Sequence, residues 1–322
     1  MLKVPTTYSY YSICNGNVLS FLAEYGVSPS IKGSFIYQGL DGRQVLESIF
    51  GVEKYIDSNN SEIKNNQYVL PIGIGFDKVA PNSAVKGLSQ LEKQTLLSRF
   101  VTLNDKDFLE IQNKFMSLAD PLAYNEPVIE HFEVVISDDA INNNDDQSLK
   151  ETYLLIPNLK SEERIDYNVG NKKLRIMPSY EEKYLPNFDR YINVTGADFS
   201  QGFGFENEKL LTVYDRNYKG TFEKLYSNSL KDIVIGKNCV AGCADLDSDT
   251  MMLFSIPFSK GWSAFVDGKN VKIYRADNGL MAIALSKGEH FIKLRYRTPG
   301  LFIGMIMTLI GSVSMGIYYK IC

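Results

Sequence analysis

The end of the chain constrains everything before it. Residues 298–319 carry no charge, and Leu, Ile, Met, Phe and Val fill half of the run. As a helix at ~1.5 Å per residue it would be roughly 33 Å long, enough for the ~30 Å hydrocarbon core of a bilayer. Lys293, Arg295 and Arg297 stop the run on one side and Lys320 on the other, and Tyr318 and Tyr319 fall where an interfacial aromatic belt would lie. A buried core helix is the alternative, but such helices are usually shorter and keep a polar stripe. The expectation is a transmembrane helix over 298–319, with a large water-soluble region tethered by its C-terminus. Gly300 and Gly304 make a G-x-x-x-G pair, and Thr308, Ser312 and Gly316 continue the four-residue spacing. Small residues let another helix approach closely in lipid, so Gly304, Thr308, Ser312 and Gly316 are expected to pack against a partner helix, upstream or separate.

The remaining residues suffice for one large or several ordinary domains. Hydrophobic content is 44%, with 20 Tyr and 18 Phe, ample for a real core. Mean hydropathy of −0.15 suits a mostly soluble chain with one span. A net charge of −4 argues against general nucleic-acid binding. Met-Leu-Lys-Val-Pro-Thr-Thr opens the sequence without an apolar h-region, so no signal peptide is expected. Taken alone, that predicts a tail-anchored protein with its bulk in the cytosol. The cysteines Cys14, Cys239, Cys243 and Cys322 do not make a disulfide framework. For the C-x-x-x-C pair Cys239 and Cys243, a local disulfide and two buried thiols are both open.

The predicted fold is α+β: a mixed α/β region over 1–125, a β-sandwich region over 126–245, a five-strand antiparallel unit over 246–297, and the membrane helix. Apolar residues at helical spacing predict helices over 15–26 and 40–51. Ser89 with Glu92 three residues on is a capping box and predicts a third helix over 89–101. From Pro127 the period becomes two, with short strands predicted at 128–136, 152–156, 173–177, 191–195, 209–214 and 232–235. The last unit has strands at 251–256, 262–266, 271–275, 280–285 and 291–296. The dipeptides Asp267-Gly268 and Asn278-Gly279 between them are strong hairpin signals. Because the final strand nearly abuts the span, this sheet is expected to rest on the membrane.

Chemistry-bearing motifs are scarce. The histidines His131 and His290 stand alone in predicted strands. No nucleophile elbow, phosphate-binding loop, dinucleotide fingerprint or zinc-protease motif appears, and Gly202-Phe-Gly204-Phe lacks a strand-to-helix context. Asp245-Leu-Asp247-Ser-Asp249 begins like a calcium loop, but its sixth position is Thr250 and its twelfth is Ile256. A loop before a strand is the better reading, and no metal or cofactor site is expected. Trp262, the only tryptophan, suits a buried packing role better than sugar binding.

Several stretches together carry a resemblance. Ile256-Pro-Phe-Ser-Lys-Gly-Trp-Ser-Ala-Phe-Val-Asp-Gly-Lys-Asn-Val-Lys-Ile, then Lys287-Gly-Glu-His and the strand into Pro299-Gly, resemble the end of the bacterial YfhO-type membrane proteins. Tyr10-Tyr-Ser12, Leu40-Asp-Gly-Arg43, Gly51-Val-Glu-Lys-Tyr55, Leu70-Pro-Ile-Gly73 and residues 88–97 extend the likeness over nearly the whole chain. That family is similar to GT-C glycosyltransferases, which take sugar from a polyprenyl-phosphate donor on the outer face of a membrane. The implied acceptor is a cell-envelope polymer such as lipoteichoic acid. Members carry many earlier spans and early-loop catalytic acids that have no counterpart here, so no catalytic residue is carried over. The resemblance implies the C-terminal extracytoplasmic region and final span, in an accessory or acceptor-positioning role, and it reverses the tail-anchored topology. Gly261, Trp262, Asp267, Gly268 and Gly288 are then fold-determining signature residues. The alternative is a stand-alone membrane-anchored module that binds carbohydrate or protein without enzymatic activity.

Overall fold

The computed structural model describes residues 8–11, 16–27, 35–38, 40, 42–56, 63–114, 132–135, 149–157, 165–169, 172–176, 189–197, 209–215 and 218–321. Cys14, His131, Cys322, residues 137–148 and residues 202–205 lie outside them. The described helices are α1 (Gly16–Glu24), α2 (Gln44–Ile49), α3 (Gln90–Leu96), α4 (Asp105–Lys114), α5 (Tyr218–Ser227) and α6 (Leu301–Ile321).

Two sheets and a layer of helices form the main body. A six-stranded sheet has the order Gly73–Phe76, Thr250–Pro257, Leu280–Leu285, Tyr274–Ala276, Val101–Leu103, Val79–Pro81. Its pairings are antiparallel except for the last two strands. A five-stranded antiparallel sheet has the order Lys231–Gly236, Cys239–Leu246, Gly288–Tyr296, Trp262–Val266, Lys269–Val271. Between them lies a dry core in which Met252, Phe254, Met281 and Ile283 meet Val240, Leu246, Ala264, Ile292 and Leu294. The opposite face of the six-stranded sheet, with Met251, Leu253 and Ala282, is covered by Phe21 and Leu22 of α1, Leu46 and Ile49 of α2, and Tyr218 and Phe222 of α5.

Burial on both faces explains the central strands. Residues 250–254 and 280–283 are buried without alternation, as a sheet covered on two sides requires. The five-stranded sheet has one covered face, and its last strand alternates: Ile292 and Leu294 point in, Phe291, Lys293 and Arg295 point out.

This arrangement divides the strands expected in one unit over 246–297. Thr250–Pro257 and Leu280–Leu285 belong to the six-stranded sheet, whereas Trp262–Val266 and Gly288–Tyr296 belong to the five-stranded one. The strand expected over 271–275 is where the chain crosses: Lys269–Val271 pairs in one sheet and Tyr274–Ala276 in the other. Both inner faces of a sandwich need the same period-two pattern, so alternation does not say which sheet a strand joins.

Farther back, Arg190–Asn193, Leu149–Ile156, Lys209–Asp215 and Phe132–Val135 make a four-stranded sheet. Its buried face, with Tyr153, Tyr191, Leu211 and Val213, packs among the described residues on Leu91 of α3. The strand Lys231–Gly236, expected over 232–235 in this region, pairs in the five-stranded sheet instead, beside the strand Cys239–Leu246 that was not expected.

The capping box at α3 forms as expected: Glu92 N–H donates to Ser89 Oγ (3.3 Å) and Ser89 N–H to Glu92 Oε2 (2.7 Å). The helix stops at Leu96, short of residue 101, because Val101 N–H donates to Lys78 O (3.2 Å) and residues 101–103 become a strand beside Val79–Pro81. Sequence reading missed α4, although Asn104 Oδ1 accepts from Asp107 N–H (3.0 Å) in a cap arrangement. It also missed α5, whose first turn contains Gly220.

Candidate functional site

The last strand runs almost into the membrane helix. Tyr296 N–H donates to Asn238 O (2.8 Å) and Arg297 N–H to Gly261 O (2.8 Å), so regular pairing persists to Arg297. Thr298, Pro299 and Gly300 alone separate it from α6, and Gly300 takes a left-handed φ of 78°. Trp262 is half-buried, its ring 5.2 Å from that of Tyr296. A Cβ on Gly261 would lie 2.5 Å from both Arg297 O and Tyr296 Cε2, so only glycine lets the two chains approach this closely. The strand ends and the packed Trp262–Tyr296 pair therefore hold the exit of the chain toward the bilayer.

Helix α6 spans 21 residues with a mean hydropathy of 1.9 and no buried residue, so its whole surface is available to lipid or to other helices. Thr308 Oγ1 donates to Gly304 O and Ser312 Oγ to Thr308 O, each at 2.9 Å. Both hydroxyls are thus satisfied within the helix, as an apolar surrounding demands. Nothing stands above Gly304 or Gly316. Gly300, the first half of the expected G-x-x-x-G pair, precedes the helix rather than lying on it.

Other signature residues gather at the opposite end of the five-stranded sheet. Asp267 and Gly268 have φ of 52° and 80°, the primed turn that a two-residue hairpin favours. Asp267 Oδ1 accepts from Phe291 N–H (2.8 Å) and its Oδ2 lies 2.8 Å from His290 Nδ1. The hydrogen bond with His290, then that from Phe291, holds the Asp267 carboxyl below its ordinary range. His290 Nε2 lies 2.9 Å from Ser286 O, so the histidine closes a turn. Gly288 opens the last strand with φ of 124°. Asp249 Oδ1 accepts from Lys287 N–H (2.9 Å), which occupies the aspartate in a loop contact. Among the described residues no three His, Cys, Asp or Glu gather as a metal would require.

The cysteine pair takes neither form left open by spacing. Cys239 and Cys243 share one strand and one face, about 13 Å apart at ~3.3 Å per residue, too far for the ~7 Å Cα limit of a disulfide. Both are free, Cys239 half-buried and Cys243 exposed.

The unusual electrostatics lie elsewhere, in two buried sites that sequence reading missed. In the first, Arg43 is fully buried and its Nε donates to Gln94 Oε1. Gln94 Nε2 donates to Tyr153 Oη (3.1 Å), and Tyr153 Oη donates to Glu151 Oε2 (2.6 Å). Glu151 Oε1 accepts from Asn193 Nδ2 (2.7 Å) and Gln44 N–H (3.1 Å). Burial pushes the Glu151 carboxyl up to about 7, against the opposing pull of the Tyr153 and Gln44 hydrogen bonds and the Arg43 charge. This network joins the start of α2 and the middle of α3 to the four-stranded sheet. The sequence held one clue: Glu151 shares the inward parity of Tyr153.

In the second, Asp277 Oδ1 accepts from Thr102 N–H and Oγ1, both at 2.9 Å, and burial pushes its carboxyl up to about 7. Its Oδ2 is buried without a hydrogen bond. A cavity of about 10 Å³, room for about one water, is lined by Asp277, Thr102, Tyr25, Glu24 and Lys93. Glu24 is held by Lys93 Nζ (2.6 Å) and Asn278 Nδ2 (2.8 Å). The adjoining turn departs from expectation: Asp277 and Asn278 carry the positive φ, while a Cβ on Gly279 would lie 2.1 Å from Asn17 O of α1. That glycine serves helix packing rather than turn geometry. The cavity beside Asp277 has room for about one water and none for an organic substrate, and burial keeps both carboxyls holding a proton near neutrality.

Comparisons with known proteins point the same way as the membrane helix. A family model described as bacterial membrane protein YfhO matches residues 2–308. "Uncharacterized protein YfhO" of Bacillus subtilis (strain 168) is 27% identical over 112 residues, covering 34% of this chain and 13% of that protein. The chain thus aligns with only a small part of that relative's length. No solved structure matches.

Proposed function

Because this chain belongs to the bacterial YfhO membrane-protein family, we propose that it is the C-terminal extracytoplasmic domain and final span of a GT-C-like glycosyltransferase. In this reading the enzyme takes sugar from a polyprenyl-phosphate donor and acts on a cell-envelope polymer resembling lipoteichoic acid. The chain's own role is accessory: it positions the acceptor beside a catalytic part formed by other membrane helices. The supporting observation is the short link of Thr298, Pro299 and Gly300, which fixes a rigid two-sheet body next to α6. An acceptor held by such a body stays within reach of a donor in the same membrane. The buried acids Glu151 and Asp277 take no part in transfer and maintain the body's packing.

The test is the size of the native membrane polypeptide recognised by an antibody against residues 1–297, followed by analysis of envelope-polymer glycosylation in cells lacking that gene. A band far larger than 36.4 kDa together with loss of a glycosyl substituent is expected. A band at 36.4 kDa and unchanged polymer would sink the proposal and leave a stand-alone anchored binding module.

A further inference from the structure

The five-stranded sheet has unlike ends. At the end where α6 leaves, residues 234–241, 256–264 and 292–300 contain Lys237, Lys260, Lys293, Arg295 and Arg297 and no acidic residue. All five are exposed, and none makes an ion pair among the described residues. Elsewhere Lys93 pairs with Glu24, Lys224 with Asp77, and Lys272 with Asp107 and Glu110. The opposite end carries Asp245, Asp247, Asp249, Asp267 and Glu289 against Lys269 and Lys287, an acidic excess. Beside the basic end, Val234 and Ile235 are 65% and 69% exposed, on the strand that leads to the Lys237 turn.

The link to α6 decides what this end meets. Three residues reach at most ~11 Å when fully extended, while the headgroup layer on each side of the hydrocarbon is roughly 5–8 Å thick. With Leu301 at the hydrocarbon boundary, Arg297 and its neighbours lie at headgroup level. We propose that this end of the sheet is a docking surface for anionic phospholipid headgroups, with Lys237, Lys260, Arg295 and Arg297 meeting phosphates and Val234 and Ile235 entering the interface. The inference rests on α6 spanning the bilayer and not on the glycosyltransferase reading. Unpaired basic residues at a membrane surface attract anionic lipid, and adjacent exposed apolar residues add burial. Docking there sets the tilt of the whole body over the membrane, which a three-residue link alone does not.

Trp262, the only tryptophan, sits at this end and reports on it directly. The full chain is reconstituted into vesicles of phosphatidylcholine alone or mixed with phosphatidylglycerol, and quenching of Trp262 by acyl-brominated lipid is measured. Quenching is expected to rise with anionic lipid and to fall back in high salt. Lys237→Gln, Lys260→Gln and Arg297→Gln are each expected to lower the docked-to-undocked ratio about fivefold, with charge reversal by Glu removing docking altogether. Wild-type quenching that is equal in neutral and anionic vesicles overturns the proposal and requires no variant. So does a Trp262 response to soluble poly(glycerol phosphate) that anionic lipid fails to reproduce, which would assign the basic end to a polymer. Failure of the band-size test above leaves this measurement unaffected.

Discussion

Replacing Glu151 by Gln tests the buried network quantitatively. The amide is close in shape to a protonated carboxyl, and its oxygen can still accept from Asn193 and Gln44. Its NH₂ now faces Tyr153 Oη, which loses its acceptor, a cost of about 1 kcal/mol. Against this stands the ionisation penalty of the wild type. The folded carboxyl holds its proton to about 7, the unfolded one to 4.5, so between those values the folded state binds the extra proton. Stability therefore falls as pH rises through that window and levels off above it. At ~1.4 kcal/mol per pH unit the loss is about 3 kcal/mol. Asp277 contributes a fall of its own with the same sign, but it does so in both proteins and cancels from their difference. Glu151→Gln should then be about 1 kcal/mol less stable than wild type near pH 4 and about 2 kcal/mol more stable near pH 8. Thermal unfolding of the full chain in detergent, followed by circular dichroism, would show the midpoints crossing. At about 2 °C per kcal/mol the variant starts ~2 °C below and ends ~4 °C above. A variant that stays less stable at pH 8, or that keeps the wild-type pH slope, refutes the reasoning.

Three further outcomes follow from other parts of the molecule. Gly261→Ala places a methyl 2.5 Å from Arg297 O and should cost about 3 kcal/mol, read as a drop in the unfolding midpoint together with red-shifted Trp262 emission; an unchanged midpoint would mean the two chains separate freely there. Gly304→Leu with Gly316→Leu should displace α6 from a partner helix and shrink the membrane complex on native gels, whereas an unchanged complex would mark α6 as a lone anchor. In intact cells lacking an outer membrane, an impermeant maleimide should modify exposed Cys243 faster than half-buried Cys239; modification only after lysis would place the body in the cytosol.

The features that were readable from the sequence are set by neighbouring residues, although the Asn104–Asp107 cap of α4 was not read, and features set by distant residues were not legible. The Ser89–Glu92 capping box and the Asp267-Gly268 turn depend on backbone geometry within four residues, and both form where expected. The membrane helix was equally legible, because length and lack of charge are local properties. Assignment of strands to sheets failed at Val271, where a single alternating stretch serves two sheets, since the pattern encodes inside and outside but not the partner. Gly279 shows the same limit in one residue. Asn-Gly reads as a turn, yet the constraint on this glycine comes from Asn17, far away in the chain.

The buried acids were least visible of all. Asp277 stands in a polar turn and Glu151 at the start of a strand, both places where solvated carboxylates are common. What sets them apart is burial against α1 and α3, whose polar contacts, Gln94 in the Glu151 network and Glu24 and Lys93 at the Asp277 cavity, come from far along the chain and leave no mark beside the acids. The same asymmetry explains why the basic end of the sheet is the more informative functional lead. Its charges lie within a few residues of a span that fixes their depth, so local sequence and long-range geometry constrain the same side chains. The acids are constrained only by packing and hydrogen bonds from distant parts of the chain, which no local pattern announces.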